Sequence, residues 1–127
     1  MSLQIMKLVL NTARVFVSSI SKARTFYADT LQLPLDMDGA QHRYLLFRPG
    51  PLTLLVEASD LTDESGDKLV GRFTGLSFDV ENIQSTYEDL HARGVPFHGP
   101  PEKQEWGGTL AFFADPDGNG YSLCQLG

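Results

Sequence analysis

Cysteine is almost missing from this chain. Cys124 is the only one, so no intrachain disulfide can form. That excludes the disulfide-stapled scaffolds of small secreted domains and agrees with a reducing cytoplasm, the expected location. Long apolar runs are missing too, and none approaches the ~20 residues a membrane-spanning helix needs. Positive charge is in deficit: 10 Lys and Arg stand against 16 Asp and Glu, a formal net charge of −6. Such a surface repels phosphate backbones and anionic lipid heads, so neither nucleic acid nor a membrane is an expected partner. The segment Met1 to Leu10 is apolar, but it is short, contains Lys7, and lacks a basic leader and a small-residue cleavage site. It does not read as a secretory leader. Also absent are Gly-x-Gly-x-x-Gly, Gly-x-x-x-x-Gly-Lys and Gly-x-Ser-x-Gly, the phosphate-cradling and nucleophile-elbow patterns.

What remains has the composition of an ordinary folded domain. Of 127 residues, 42 % are hydrophobic and 20 % charged, enough for one real core. Leu8 to Val17 is rich in Val and Leu and reads as a strand, with Ser18-Ser19 as candidate helix caps. Ile20, Ala23, Tyr27 and Leu31 recur at spacings of three and four, and Phe26 widens that apolar face. Three short extended runs follow: Leu35 to Met37 before the Asp38-Gly39 turn, Tyr44 to Phe47, and Leu52 to Glu57. Residues 59–71 are polar and Gly-containing and read as a linker.

The pattern then repeats. Phe73 to Val80 reads as a strand, Glu81-Asn82 as a cap, and Ile83, Tyr87, Leu90 and His91 as one helical face stopped by Gly94. Val95 to Phe97, Thr109 to Phe113 and Tyr121 to Leu126 read as strands. Val17 falls on Val80, Ile20 on Ile83, and Leu33-Pro34-Leu35 on Val95-Pro96-Phe97. The expectation is one α+β domain over residues 1–127. It has two βαβββ modules (about 8–58 and 72–126) and a curved eight-stranded mixed sheet whose concave face holds a ligand.

The motif Phe112-Phe113-Ala114-Asp115-Pro116-Asp117-Gly118-Asn119, closing the second unit, resembles the vicinal oxygen chelate superfamily. That group includes glyoxalase I, extradiol dioxygenases and the bleomycin-resistance proteins. Ala23-Arg24-Thr25-Phe26-Tyr27 followed by Leu31 resembles its first helix. The resemblance spans nearly the whole chain. The Asp-Pro-Asp-Gly-Asn stretch itself reads as hairpin architecture: proline presets φ, Gly or Asn takes the left-handed position, and the aspartates cap the turn.

Metal-dependent members of this superfamily take one His, Glu or Gln from the first and last strands of each unit. The resemblance carries those positions onto Thr12, Glu57, Gly75 and Ser122. Only Glu57 is a good ligand, and catalytic divalent ions generally need about three protein donors. The expectation is therefore no cofactor and no metal, with Zn, Ni, Fe or Mn on Glu57 as the alternative.

Other residues compete for a role. Glu57 is either a solvated strand-end carboxylate or, inside an apolar cavity, the one candidate general base. Arg14 shares a strand face with Thr12 and either pairs with Glu57 or binds a ligand carboxylate or phosphate. Trp106 reads either as an aromatic at the cavity mouth or as core. Phe16, Tyr44, Phe47, Phe112 and Phe113 alternate along strands, most of them core and some available to stack on a flat ligand. His42, His91 and His98 show no zinc spacing, and Cys124 reads as a small buried hydrophobe.

The expected function is binding of a small organic molecule, aromatic and cationic in the bleomycin-resistance manner. The expected ligand contacts are Thr12, Arg14, Phe16, Glu57, Trp106, Phe112 and Ser122, in a homodimer. The alternative is a metal-dependent lyase, isomerase or dioxygenase of the glyoxalase type using Glu57.

Overall fold

Buried Val15 and Val17, alternating with Arg14 and Phe16, produce β1 (Thr12–Val17) in the computed structural model, which describes residues 6–127. The beginning of the Met1–Leu10 segment lies outside the described residues. β1 starts at Thr12, later than the Val and Leu content predicts. Its partner β4 (Thr53–Ala58) begins at Thr53, and the last contact between them is the Thr53 N–H donated to the Asn11 carbonyl at 2.8 Å. Leu8 to Leu10 are left without a ladder and exposed.

Ser19 caps α1 (Ile20–Arg24), its hydroxyl accepting the Lys22 N–H at 3.3 Å. The helix then widens into a π turn over Thr25–Thr30, where Leu31 N–H donates to the Phe26 carbonyl at 2.9 Å. The wider turn turns both Phe26 and Tyr27 inward, at 6 % and 0 % exposure. After Pro34 come β2 (Leu35–Gly39), a 3₁₀ turn at Ala40–His42, β3 (Tyr44–Phe47) and β4. His42 thus lies in that turn and not in β3. Residues 59–71 lead to β5 (Phe73–Asp79). α2 (Ile83–Ala92) is capped by the Asn82 side chain, which accepts the Ser85 N–H at 3.0 Å, and Gly94 follows its end at φ +89°.

The expected strand at Val95 to Phe97 reduces to a single bridge from Phe97 to Phe113. Pro96 has no N–H to donate, and Pro100-Pro101 breaks any extension. The third position of the second unit is taken by β6 (Glu102–Lys103), followed by β7 (Thr109–Ala114) and β8 (Gly120–Gln125).

Each unit builds its own sheet with the same topology. The strand orders are β1-β4-β3-β2 and β5-β8-β7-β6, each with its first and last strand parallel. The eight strands thus form two four-stranded sheets, not one. The inner faces of the two sheets share a single core. Val15, Val17, Phe47 and Val56 come from the first, and Phe113, Tyr121 and Leu123 from the second. The Tyr27 ring lies 5.9 Å from Phe47 and 6.1 Å from Tyr121, and so links the two.

A buried polar knot joins the units at the Asp-Pro-Asp-Gly-Asn turn. Tyr27 donates its hydroxyl proton to Asp115 Oδ2 at 2.6 Å. With that proton spent, Tyr121 donates to the Tyr27 oxygen at 2.7 Å. Asn119 uses its whole amide. Nδ2 donates to the Phe16 carbonyl and Asp115 Oδ2, both at 2.8 Å, and Oδ1 accepts the N–H groups of Gly71 and Arg72. Asp117 accepts both the N–H and the hydroxyl of Ser18. The hairpin reading of this turn holds, and the turn also fastens β1 and the start of β5 to β8.

Burial, followed by the charges of Tyr121 and Asp115, pushes the Tyr27 phenol far above its ordinary value of 10.0. Burial also raises Tyr121, against a smaller opposing effect of its hydrogen bond to Tyr27. A raised phenol contributes stability that is fully present below pH 10.0 and is lost as pH rises beyond it. In an absorbance titration of the four tyrosines, Tyr27 and Tyr121 are expected to ionise only together with alkaline unfolding. Free ionisation of all four in the folded protein would contradict this. Asn119→Ala strands two N–H groups and a carbonyl. At about 1–3 kcal/mol per buried orphan, a loss of roughly 3 kcal/mol or more is expected in urea unfolding. A change below about 0.5 kcal/mol, the range of ordinary surface substitutions, would deny the knot its role.

Candidate functional site

Strand alternation and register decide which side chains share a surface. On the first sheet, the face away from the core carries Thr12, Arg14 and Phe16 of β1, with Tyr44 and Glu57. Phe16 pairs with Glu57, and Glu57 with Tyr44, so the carboxylate sits in a row between two aromatic rings. Arg14 reaches over from the next row. Its Nε donates to Glu57 Oε2 at 2.7 Å and its Nη2 to Oε1 at 3.2 Å. Its guanidinium carbon lies 5.3 Å from the Phe16 ring centroid. The hydrogen bond first, and then the charge of Glu57, raise the Arg14 pKa above its ordinary value. Of the two readings of Arg14, the pairing with Glu57 is therefore present. Both oxygens of the candidate base are already hydrogen-bond acceptors.

Thr12 and Glu57 do not meet. Thr12 pairs with Thr53, four residues before Glu57, a separation of about 13 Å at strand rise. The reason is register: β4 begins at Thr53 opposite Thr12, which leaves Glu57 beside Phe16. Thr12 Oγ1 donates instead to Asn11 at 2.8 Å.

The second sheet keeps its pair closer. Ser122 lies beside Ser77 and Phe112, and Gly75 sits at an irregularity of β5 with φ +73°. Phe112 is 40 % exposed and Ser122 is buried. Trp106 is neither core nor part of either strand face; it is 60 % exposed near the tip of the β6–β7 hairpin. Its ring folds over Gly108, where a Cβ would collide with it. Cys124 is buried, as expected. His98 lines a small crevice with Gly99, Pro100 and Phe112, and His91 packs its ring 5.6 Å from Tyr87.

The donor chemistry does not suit a divalent ion. Thr12, Gly75 and Ser122 offer two hydroxyls and no side-chain donor at the glycine, and Glu57 is held by a guanidinium. Among the described residues, no three His, Cys, Asp or Glu side chains converge.

The two units meet at another place. A cavity of about 250 Å³ opens in the seam between β1 and β5. Arg14 and Phe16 line it from the first unit, Leu69 from the linker, and Arg72, Phe73 and Thr74 from the second unit. Asn119, whose amide ties Phe16 to Arg72, closes one side. Phe73 is 75 % exposed, and its ring lies along the small residues Gly75 and Gly120. Sequence reasoning missed Arg72 and Phe73 because they sit where the linker ends and β5 begins. The available signal was alternation, since residue 73 shares a strand face with residue 75. Arg72 is held by Asp63, with which it forms a short ion pair, and by the Lys68 carbonyl. That hydrogen bond is the main reason the Asp63 pKa falls below its ordinary value.

Comparison with known proteins agrees with this architecture. A family model described as "Glyoxalase/Bleomycin resistance protein/Dioxygenase superfamily" matches residues 9–123. The chain is 32 % identical over 114 residues to the uncharacterized protein YraH of Bacillus subtilis (strain 168), covering 84 % of this chain and 89 % of that one. It resembles the structure of a glyoxalase/bleomycin resistance protein/dioxygenase superfamily member from Sphaerobacter thermophilus DSM 20745. There the identity is 28 % and the TM-score 0.82, over 95 % of this chain and 99 % of the other. It also resembles TnmS3, an antibiotic binding protein from Streptomyces sp. CB03234, at 26 % identity and TM-score 0.77, over 98 % and 100 % of the two chains.

An exposed ion pair contributes little to stability but fixes a side chain in place. Glu57→Gln is therefore expected to leave the urea midpoint near the parent value while freeing the Arg14 guanidinium. NMR relaxation at Arg14 Nε should report faster motion. Unchanged order at Nε would mean that Phe16, and not Glu57, holds the arginine.

Proposed function

The chain belongs to the glyoxalase/bleomycin resistance protein/dioxygenase superfamily, and on that premise we propose that it binds a small organic molecule without a catalytic metal. The observation that carries this reading is the seam cavity, lined from both units by aromatic rings and arginines. At about 250 Å³ it is slightly smaller than pockets for drug-sized ligands, which run from about 300 Å³ upward. A molecule of one or two rings suits it. Likeness to an antibiotic binding protein over the full chain supports binding as the role.

The metal-dependent alternative needs Glu57 free and two or three further donors near it. Thr12 stands about 13 Å along the sheet by strand rise, and Arg14 holds the carboxylate. A general-base role for Glu57 meets the same obstacle, because both oxygens already accept from the guanidinium. The binding protein works by enclosure: it removes apolar surface of the ligand from water and orients its polar end on fixed donors.

A homodimer fits this reading. Leu8, Val9, Leu10, Met37, Phe73, Trp106 and Phe112 are large apolar residues left exposed on one chain. A second copy would cover such surface and help close the seam.

Two measurements test the proposal. Ni, Zn, Fe or Mn added to the purified chain should leave the thermal midpoint unshifted, and small aromatic compounds in a thermal-shift screen should raise it. A ligand at 100 times its Kd adds about 2.7 kcal/mol to the unfolding free energy. Tight stoichiometric metal with metal-dependent turnover would replace this reading with the enzymatic one.

A further inference from the structure

We propose that the seam cavity selects a flat aromatic carboxylate, with the ring between Phe16 and Phe73 and the carboxylate on Arg14 and Arg72. This rests on the binding reading above and reverses the cationic ligand expected from the sequence.

The lining decides the sign of charge. Its only charged residues are Arg14 and Arg72, and no Asp or Glu lines it. The chain as a whole carries −6, so a cavity with only positive lining runs against the general field. The remaining polar groups are already engaged. Thr74 Oγ1 donates to the Gly120 carbonyl and accepts the Leu76 N–H. Asn119 makes four hydrogen bonds. An ammonium entering the seam would meet two guanidinium groups and no anionic acceptor in the lining.

The arginines are fixed yet not exhausted. Arg14 uses Nε and Nη2 on Glu57. Arg72 uses Nε on the Lys68 carbonyl and Nη2 on Asp63 and the Asp67 carbonyl. Among the described residues, neither Nη1 has a protein acceptor. Each guanidinium is thus oriented by a carboxylate outside the lining and keeps N–H groups to donate. Charge-assisted bonds from such preorganised donors are the strong ones, and little side-chain entropy remains to be lost. The apolar part is also in place. Phe16 already carries the Arg14 guanidinium at 5.3 Å, and Phe73 stands exposed beside Gly75 and Gly120.

Three probes of one shape separate the possibilities: 2-naphthoate, 2-naphthylmethanol and 2-naphthylmethylammonium. Each is titrated into the full chain by calorimetry, with amide shifts mapped by ¹⁵N NMR. Naphthoate is expected to bind at least about tenfold more tightly than the other two, the scale of one charge-assisted contact. Its shifts should centre on residues 14–16 and 72–74. Arg14→Met and Arg72→Met should each lower its affinity about tenfold with the folded spectrum retained. Arg48→Met removes an arginine paired with Asp36 outside the seam and should not change it. Equal or tighter binding of the alcohol or the ammonium at the same amides overturns the carboxylate preference and leaves the binding reading standing. Naphthoate affinity indifferent to both arginine substitutions, or shifts elsewhere, overturns the placement. If no probe moves a seam amide, both readings fall.

Discussion

One side chain, Asn119, holds three separate stretches of chain in register. Its amide reaches the Phe16 carbonyl in β1, the Gly71 and Arg72 N–H groups before β5, and Asp115 in its own turn. Each bond is modest alone, but all are buried or half-buried, where an unmet partner is costly. Tyr27, Asp115 and Tyr121 extend the network into the core between the sheets. Among the described residues, no side-chain nitrogen or oxygen atom that is itself fully buried lacks a partner. The position of the seam cavity follows from this network. Phe16 and Arg72 border the cavity because Asn119 ties both of their backbones.

The two units share a topology but differ in what they spend on joining each other. The first supplies Tyr27 from a π turn, and Phe16 and Ser18 from the end of β1. The second supplies the turn that receives them. A duplicated fold of this kind has two equivalent turns to use, and the chain has put the polar knot on one. The Arg48-Pro49-Gly50-Pro51 connection of the first unit contains no Asn or Asp and takes no such role.

Much of the fold was legible because it rests on period and punctuation. The cap at Asn82, the stop at Gly94 and the helix face from Ile20 to Leu31 all follow local rules. The site was less legible for a physical reason. Alternation tells which residues share a face, and it placed Arg14, Phe16 and Glu57 together. It does not tell how far β4 slides along β1, and one such offset separated Thr12 from Glu57. Long-range partners were also hidden. Nothing near Asp115 in sequence announces Tyr27, 88 positions away. Nor does the polar stretch before Phe73 reveal that its last residue, Arg72, borders a cavity with β1.

The linker over residues 59–71 takes on a different meaning in this light. It looks like a tether between two halves, but the halves are already fastened through their interior. Its own turn is self-contained: Asp63 accepts the Ser65 and Asp67 N–H groups and pairs with Arg72. The linker therefore serves less as a rope than as a guide that brings the Gly71 and Arg72 N–H groups to Asn119. What the fold asks of this stretch is an end point and not a length: the Gly71 and Arg72 N–H groups must arrive at one oxygen.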